Sequence, residues 1–143
     1  MSINKTGFKY KREGRIIAFQ ALFAYDFHEL PLEVIIKFDW LEKEVGQSSL
    51  DYARYLITGT IENIVFIDDI IKSKLRNWDF QRISSIDKAI LRFSIFSIMY
   101  EKELPEKIII NEAIEIVKEF GSDESYKFVN GILDAIRKSK DKK

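Results

Sequence analysis

Apolar positions along this chain recur at intervals of three and four rather than two, the spacing of helix faces and not of strands. Across residues 10–28, Ile16, Ile17, Phe19, Leu22, Phe23 and Phe27 line a broad apolar side, and Lys11, Arg12 and Arg15 occupy the first turns. Pro31 stands at a first helical position in "PLEVIIKFDWLEKEVG", and Gly46 stops that stretch. Ser48 or Ser49 can cap a long helical segment from Leu50 to about Trp78, with a bend or a close helix crossing at Gly59-Thr60. "SSIDKAILRFSIFSIMYEK" opens on a serine cap and an acidic first turn, then turns apolar nearly all round, which marks the central buried helix. Pro105 opens "PEKIIINEAIEIVKEFG" with Gly121 as its C-cap, and Ser122 or Asp123 caps a last helix that runs to residue 137. Six or seven helices and no strand pattern predict an all-α, single-domain bundle over residues 11–137. A flexible basic arm at 1–10 and a basic tail at 138–143 flank it.

Composition narrows the class without changing that picture. A chain of 143 residues with 46% hydrophobic and 32% charged positions supports one core of ordinary globular type. No apolar run reaches the roughly 18 residues of a membrane span, and the opening "MSINKTGFKYKREGR" lacks the apolar region of a secretory signal. The absence of cysteine leaves neither disulfides nor thiolate chemistry and fits the cytoplasm. Net charge is zero but uneven. Residues 1–15 carry five Lys or Arg against Glu13 alone, and residues 137–143 carry five against Asp141. The stretch between is acidic, so a polyanionic partner would meet the two ends of the chain.

The candidate chemistry is mostly a set of exclusions. His28 is the single histidine, which rules out a multi-histidine metal site or a catalytic triad, and its position at a helix end suits capping. "GTIENI" has neither the spacing nor the lysine of a phosphate loop. Asp68 and Asp69 are adjacent on a helix and diverge by about 100°. Glu112, Glu115 and Glu119 share one helix face beside Lys118, an arrangement typical of a solvated face. No cofactor and no catalysis are expected.

One stretch carries two conflicting signals. In "SDESYKFVNGILDAI", Asn130-Gly131 is a strong tight-turn pair. Phe128, Val129, Ile132, Leu133 and Ile136 nevertheless fall on one helical stripe. If the stretch is helical, Gly131 weakens it by roughly 1 kcal/mol relative to alanine.

Four blocks, in this order, resemble the NusB transcription antitermination factors. They are the Arg15–Phe23 segment "RIIAFQALF", "IDKAILRFSIFSI" at 86–98, "PEKIIINEAIEIVKEFG" at 105–121 and "SDESYKFVNGILD" at 122–134. The resemblance implies an all-α fold of two small helical subdomains and a protein that binds boxA RNA of nascent ribosomal RNA transcripts. It implies a heterodimer with the small-subunit ribosomal protein NusE, assembling with NusA, NusG and RNA polymerase to read through terminators. It places the KFVNG segment on a helix; the physical reason expected for Gly131 there is that a missing side chain makes room for a closely crossing helix.

The resemblance also carries residues over. Lys11, Arg12 and Arg15, with Lys9 from the arm, correspond to a basic run that meets RNA phosphates, although Glu13 and Gly14 interrupt it here. Phe23 takes an aromatic position without a hydroxyl. Lys127 and Phe128 pair a phosphate-neutralising cation with a ring able to stack on an unpaired base, though Phe128 equally fits the core stripe. Asp87 and Glu124 match acidic positions near the partner protein or the RNA, and each is also a first-turn acid favoured by its helix. A protein-binding helical adaptor without specific RNA recognition is the competing reading.

Overall fold

In a computed structural model, the chain forms seven α-helices and one short 3-10 turn, with no strand among the described residues. The structure describes residues 2–76 and 79–141, and side chains over 8–76 and 79–139. Trp78, where the long middle segment was expected to end, lies outside them. No described helix is long and apolar enough to cross a membrane.

α1 (Ser2–Tyr25) begins at the second residue, so positions 2–10, expected as a flexible arm, continue the helix N-terminally. At the other end, α7 (Asp123–Asp141) takes in residues 138–141 of the expected tail; 142 and 143 lie outside the described residues. α1 packs closely on α3 (Gln47–Glu62), and Gly14 is where they meet. A Cβ on Gly14 would sit 3.0 Å from the Ser49 carbonyl and 3.0 Å from the Tyr52 ring. Gly14 therefore serves the fit of α1 against α3 and does not loosen the helix start.

The stretch opened by Pro31 is helical for one turn only, α2 (Leu32–Ile35), instead of reaching Gly46. Side chains from outside it take the carbonyls that the next turn would have used. Trp40 Nε1 donates to the Ile35 carbonyl at 2.9 Å, and Arg54 donates to the Ile36 carbonyl at 3.4 Å. Phe38 is buried with φ at 60°, a left-handed conformation that continued helix forbids. Gly46, not Ser48 or Ser49, occupies the cap of α3, and Ser49 is buried with its hydroxyl donating to Glu13 at 2.6 Å.

The long middle segment is two helices. It breaks at Asn63, whose side-chain amide donates to the Gly59 carbonyl at 2.7 Å, before α4 (Ile64–Lys74). Gly59 is the close crossing expected there: a Cβ at this position would overlap the edge of the Phe96 ring.

α5 (Ser85–Tyr100) is the central helix the sequence implies, buried without a break from Asp87 to Ile98. The Ser84 hydroxyl caps it, accepting from the Asp87 amide at 3.1 Å. α1, α3, α4, α6 (Glu106–Phe120) and α7 all pack against α5, with α1 paired to α3 and α6 paired to α7. These pairs form the two small subdomains, joined through α5. Ser122 caps α7 by accepting from the Ser125 amide at 3.1 Å. Gly121 ends α6 in extended rather than left-handed geometry, with φ −107° and ψ −165°. Its missing side chain leaves room for Ser125 Cβ and the Val117 carbonyl, each 3.0 Å from where a Cβ would lie.

Gly131 lies within α7, so helix prevails over the Asn130-Gly131 turn signal. No helix crosses there. Apart from its own turn, nothing comes within 4 Å of a Cβ built on Gly131, and the residue is exposed. The role expected of Gly131 belongs to Gly59.

Candidate nucleic-acid interface

The basic start of the chain is organised around a glutamate. Glu112, 5% exposed on α6, accepts from Arg12 Nε at 3.1 Å and Arg12 Nη2 at 2.8 Å, and from Arg15 Nη1 at 3.2 Å. The paired oxygens grip the Arg12 guanidinium as a fork, a geometry stronger than a single contact. That hydrogen bond, opposed in part by burial and aided by the charges of Glu112 and Glu115, raises the Arg12 pKa further. The Arg12 side chain stays 45% exposed and its guanidinium lies 4.6 Å from the Phe8 ring centre. Arg15 is different: it is 4% exposed, with its guanidinium 5.5 Å from the Tyr52 ring centre. The structure thus places Arg15 inside the protein, where its charge is matched by Glu112. Lys9 is exposed, and Lys11 is half-buried with its ammonium 5.4 Å from the Tyr52 ring centre. Tyr52 itself donates to Glu101 at 2.8 Å and 2.9 Å, and burial first, then the Glu101 charge and hydrogen bond, hold its hydroxyl protonated far above neutral pH.

From Arg12, α1 runs beside α6. The Arg12–Glu112 pair is followed along both helices by Phe19 against Phe120, ring centres 5.0 Å apart, and Phe23 follows at 6.3 Å from Phe19. Phe23 is 36% exposed and meets Phe27 edge-on at 5.2 Å. Eleven residues of helix, about 16 Å at 1.5 Å per residue, separate Arg12 from Phe23, and the line points to where α6 gives way to α7.

At that end a pocket of about 230 Å³ is lined by Arg82, Ser84, Asp87, Glu124, Ser125 and Phe128, with Ile83 and Ser122 completing it. Three residues singled out from the sequence, Asp87, Glu124 and Phe128, are brought together here from two helices. Phe128 is half-buried, packed against the core at one side and lining this pocket at another. Asp87 is 8% exposed and its Oδ1 finds no hydrogen-bond partner among the described residues. Burial pushes its carboxyl above the ordinary range, partly offset by the Ser125 and Ser84 hydroxyls. Glu124 and Lys127 are exposed.

The frame behind this pocket is electrostatic. Arg92, 6% exposed on α5, forks onto Asp68 at 2.9 Å through both Nε and Nη2 and lies 3.6 Å from Asp26; Lys88 reaches Asp26 at 3.4 Å. Asp68 is therefore half of an ion pair, and Asp69 points elsewhere into solvent. Burial pushes the Asp26 carboxyl up, but the Ser85 hydrogen bond and the Lys88 and Arg92 cations outweigh it and leave its pKa lowered. The Phe80 ring lies under Lys72, Lys88 and Arg92, at 5.0, 4.9 and 5.9 Å.

From the sequence, Glu112 reads as part of a solvated face, which its burial between Arg12 and Arg15 overturns, and Arg82 is not singled out. Glu112 sits among Ile109, Ile110, Ala113 and Ile114, and a carboxylate enclosed that way needs a cation, which was the available signal. Nothing about Arg82 distinguished it. His28 is exposed and its side chain caps nothing among the described residues; it borders an apolar pocket with Leu30, Val34 and Trp40. No cluster suited to holding a metal occurs among the described residues.

The comparisons with known proteins agree with one another. The model of the NusB family matches residues 12–138. The transcription antitermination protein NusB of Treponema pallidum is 44% identical over 131 residues, covering 90% of this chain and 93% of that protein. The structure of NusB from T. maritima superposes with a TM-score of 0.82 at 39% identity, covering 90% of both chains. A structure of the antitermination factors NusB and NusE in complex with dsRNA superposes with a TM-score of 0.77 at 22% identity, over 92% of this chain and 98% of that one, a likeness of fold. Such relatives are transcription antitermination factors and not enzymes, which agrees with the non-catalytic reading of the sequence. A match over nearly the whole domain, with 44% identity to a relative covered over 93% of its length, means that this chain belongs to the NusB family.

Proposed function

We propose that this chain is an RNA-binding transcription antitermination factor. It takes boxA RNA of ribosomal RNA transcripts together with the ribosomal protein NusE and, with NusA, NusG and RNA polymerase in the cytoplasm, helps transcription pass terminators. The observation that carries the reading is the pocket shared by Phe128, Asp87 and Glu124 beside Arg82. A half-buried ring there offers a face to an unpaired base. Lys127 and Arg82 supply cations, while the two carboxylates accept hydrogen bonds from base amino groups or from a cationic partner. Phe23 forms a second aromatic step, and Lys9, Lys11 and the exposed part of Arg12 receive phosphates at the far end of α1. Arg15 acts through Glu112, holding that end of α1 against α6. The NusB–NusE–dsRNA complex supports the choice of partners, since its NusB chain shares this fold.

A gel shift with boxA-like RNA and a scrambled control, with and without NusE, tests the reading. Phe128→Ala should weaken RNA binding by about 1–3 kcal/mol, a factor of roughly five to 150. Complex formation with NusE that is indifferent to RNA sequence, and to Phe128→Ala, would favour the helical-adaptor reading instead.

A further inference from the structure

Glycine is the poorest ordinary residue for the middle of a helix, and Gly131 occupies the middle of the 19-residue α7. Conformation does not demand it, since no described glycine has positive φ. Packing does not demand it either, since the space in front of it is open. What the missing side chain does is leave a groove with bare backbone on its floor.

The groove, about 350 Å³, runs between α7 and the end of α4 and is lined by Lys74, Leu75, Arg76, Lys127, Phe128 and Gly131, with Ile132 and Ala135 behind. Phe128 lines both this groove and the Asp87 pocket, so the two share a wall made by one aromatic residue. Among the described residues three cations line the groove and no carboxylate does. Asp134, one turn along α7, is engaged by Arg137 at 3.1 Å and Lys138 at 3.0 Å. Lys74 lines the groove, but its ammonium donates to Ser139 at 2.6 Å, two turns beyond Gly131 along α7. This is a local excess of positive charge in a part of the chain that is otherwise acidic.

We propose that this groove takes one nucleotide of single-stranded RNA, its phosphate held by Arg76 and Lys127 and its body lying against the open backbone at Gly131. A base in the Asp87 pocket and the next nucleotide in this groove would then lie on either side of the wall formed by Phe128. Single-stranded recognition combines cations along a backbone path with aromatic side chains in this way. The inference rests on the RNA-binding reading above and extends the site to α4.

The test compares wild type, Gly131→Ala, Gly131→Leu, Arg76→Ala and Phe128→Ala for melting temperature and for binding of the boxA-like and scrambled RNAs across a salt series. Both Gly131 variants should melt at or above the wild-type temperature, because each is a better helix former at an open position. RNA binding should fall about fivefold or more for Gly131→Ala and further for Gly131→Leu. Arg76→Ala should reduce the log–log salt slope by about 0.7, the share of one single-strand phosphate contact. If wild type does not distinguish the two RNAs, the RNA-binding reading fails and this inference with it. If wild type binds and Phe128→Ala weakens binding, but the Gly131 and Arg76 variants bind as wild type, the groove alone is wrong. A fall in melting temperature for Gly131→Ala, or loss of NusE binding with RNA binding intact, would overturn it equally.

Discussion

Replacing Glu112 by alanine tests whether the basic start of α1 is a free charged surface or a braced one. In the wild type the carboxylate serves two guanidiniums of very different exposure: the Arg12 side chain at 45% and the Arg15 side chain at 5%. Losing the partner of the exposed arginine should cost little, about 0–1 kcal/mol. Losing the partner of the buried one strands a charge, which typically costs about 3–5 kcal/mol. Tyr52 still faces Arg15, so the low end is expected, about 3 kcal/mol in all. For a domain of this size that is roughly a 10 °C fall in melting temperature, readable by circular dichroism or by a urea midpoint. The double variant Glu112→Leu with Arg15→Met should recover most of the loss, because an apolar pair removes the stranded charge. A Glu112→Ala variant within about 1 kcal/mol of wild type, or a double variant worse than the single one, would refute the reasoning and return Glu112 to the solvated face.

Two further outcomes are expected. Gly59→Ala should lower the urea midpoint by an amount equivalent to about 1–3 kcal/mol, because the new methyl meets a Phe96 ring already held between Tyr55 and Tyr100; stability equal to wild type would mean the crossing is loose. Asp87→Asn should stabilise the fold at pH 7 by on the order of 1 kcal/mol. The raised carboxyl makes wild-type stability fall as pH rises from the unfolded value of 3.8 through the folded one, so the gain should shrink on acidification past that window, and a gain independent of pH would count against a buried charge.

Helices whose ends are set by neighbours in sequence were legible. Ser84 and Ser122 cap as read, Pro105 opens α6, and the apolar run of α5 becomes the centre of the bundle. Elements decided at a distance were not. α2 stops early because Trp40 and Arg54 take its carbonyls, and Arg54 comes from another helix. The break at Asn63 arises from an amide that competes for the Gly59 carbonyl, a choice any mid-helix asparagine offers and few take. The same limit divides the site. Phe128, Asp87 and Glu124 were named one by one from motif resemblance, and only folding shows that they share a pocket with Arg82. Arg15 carried a charge that suggested solvent, and its burial depends on a glutamate 97 positions away.

The continuous burial of α5 has a consequence for how the molecule opens. Both subdomains rest on the same helix, so neither can detach without uncovering part of Asp87–Ile98, and partial unfolding of one half strips the other of its support. Amide hydrogens of α5 should then exchange only through whole-molecule opening, while those of α2, a single turn at the surface, exchange through local fluctuation. A ligand that clamps the α7 end would slow exchange in α3 as well, which it does not touch, because both answer to one cooperative unit.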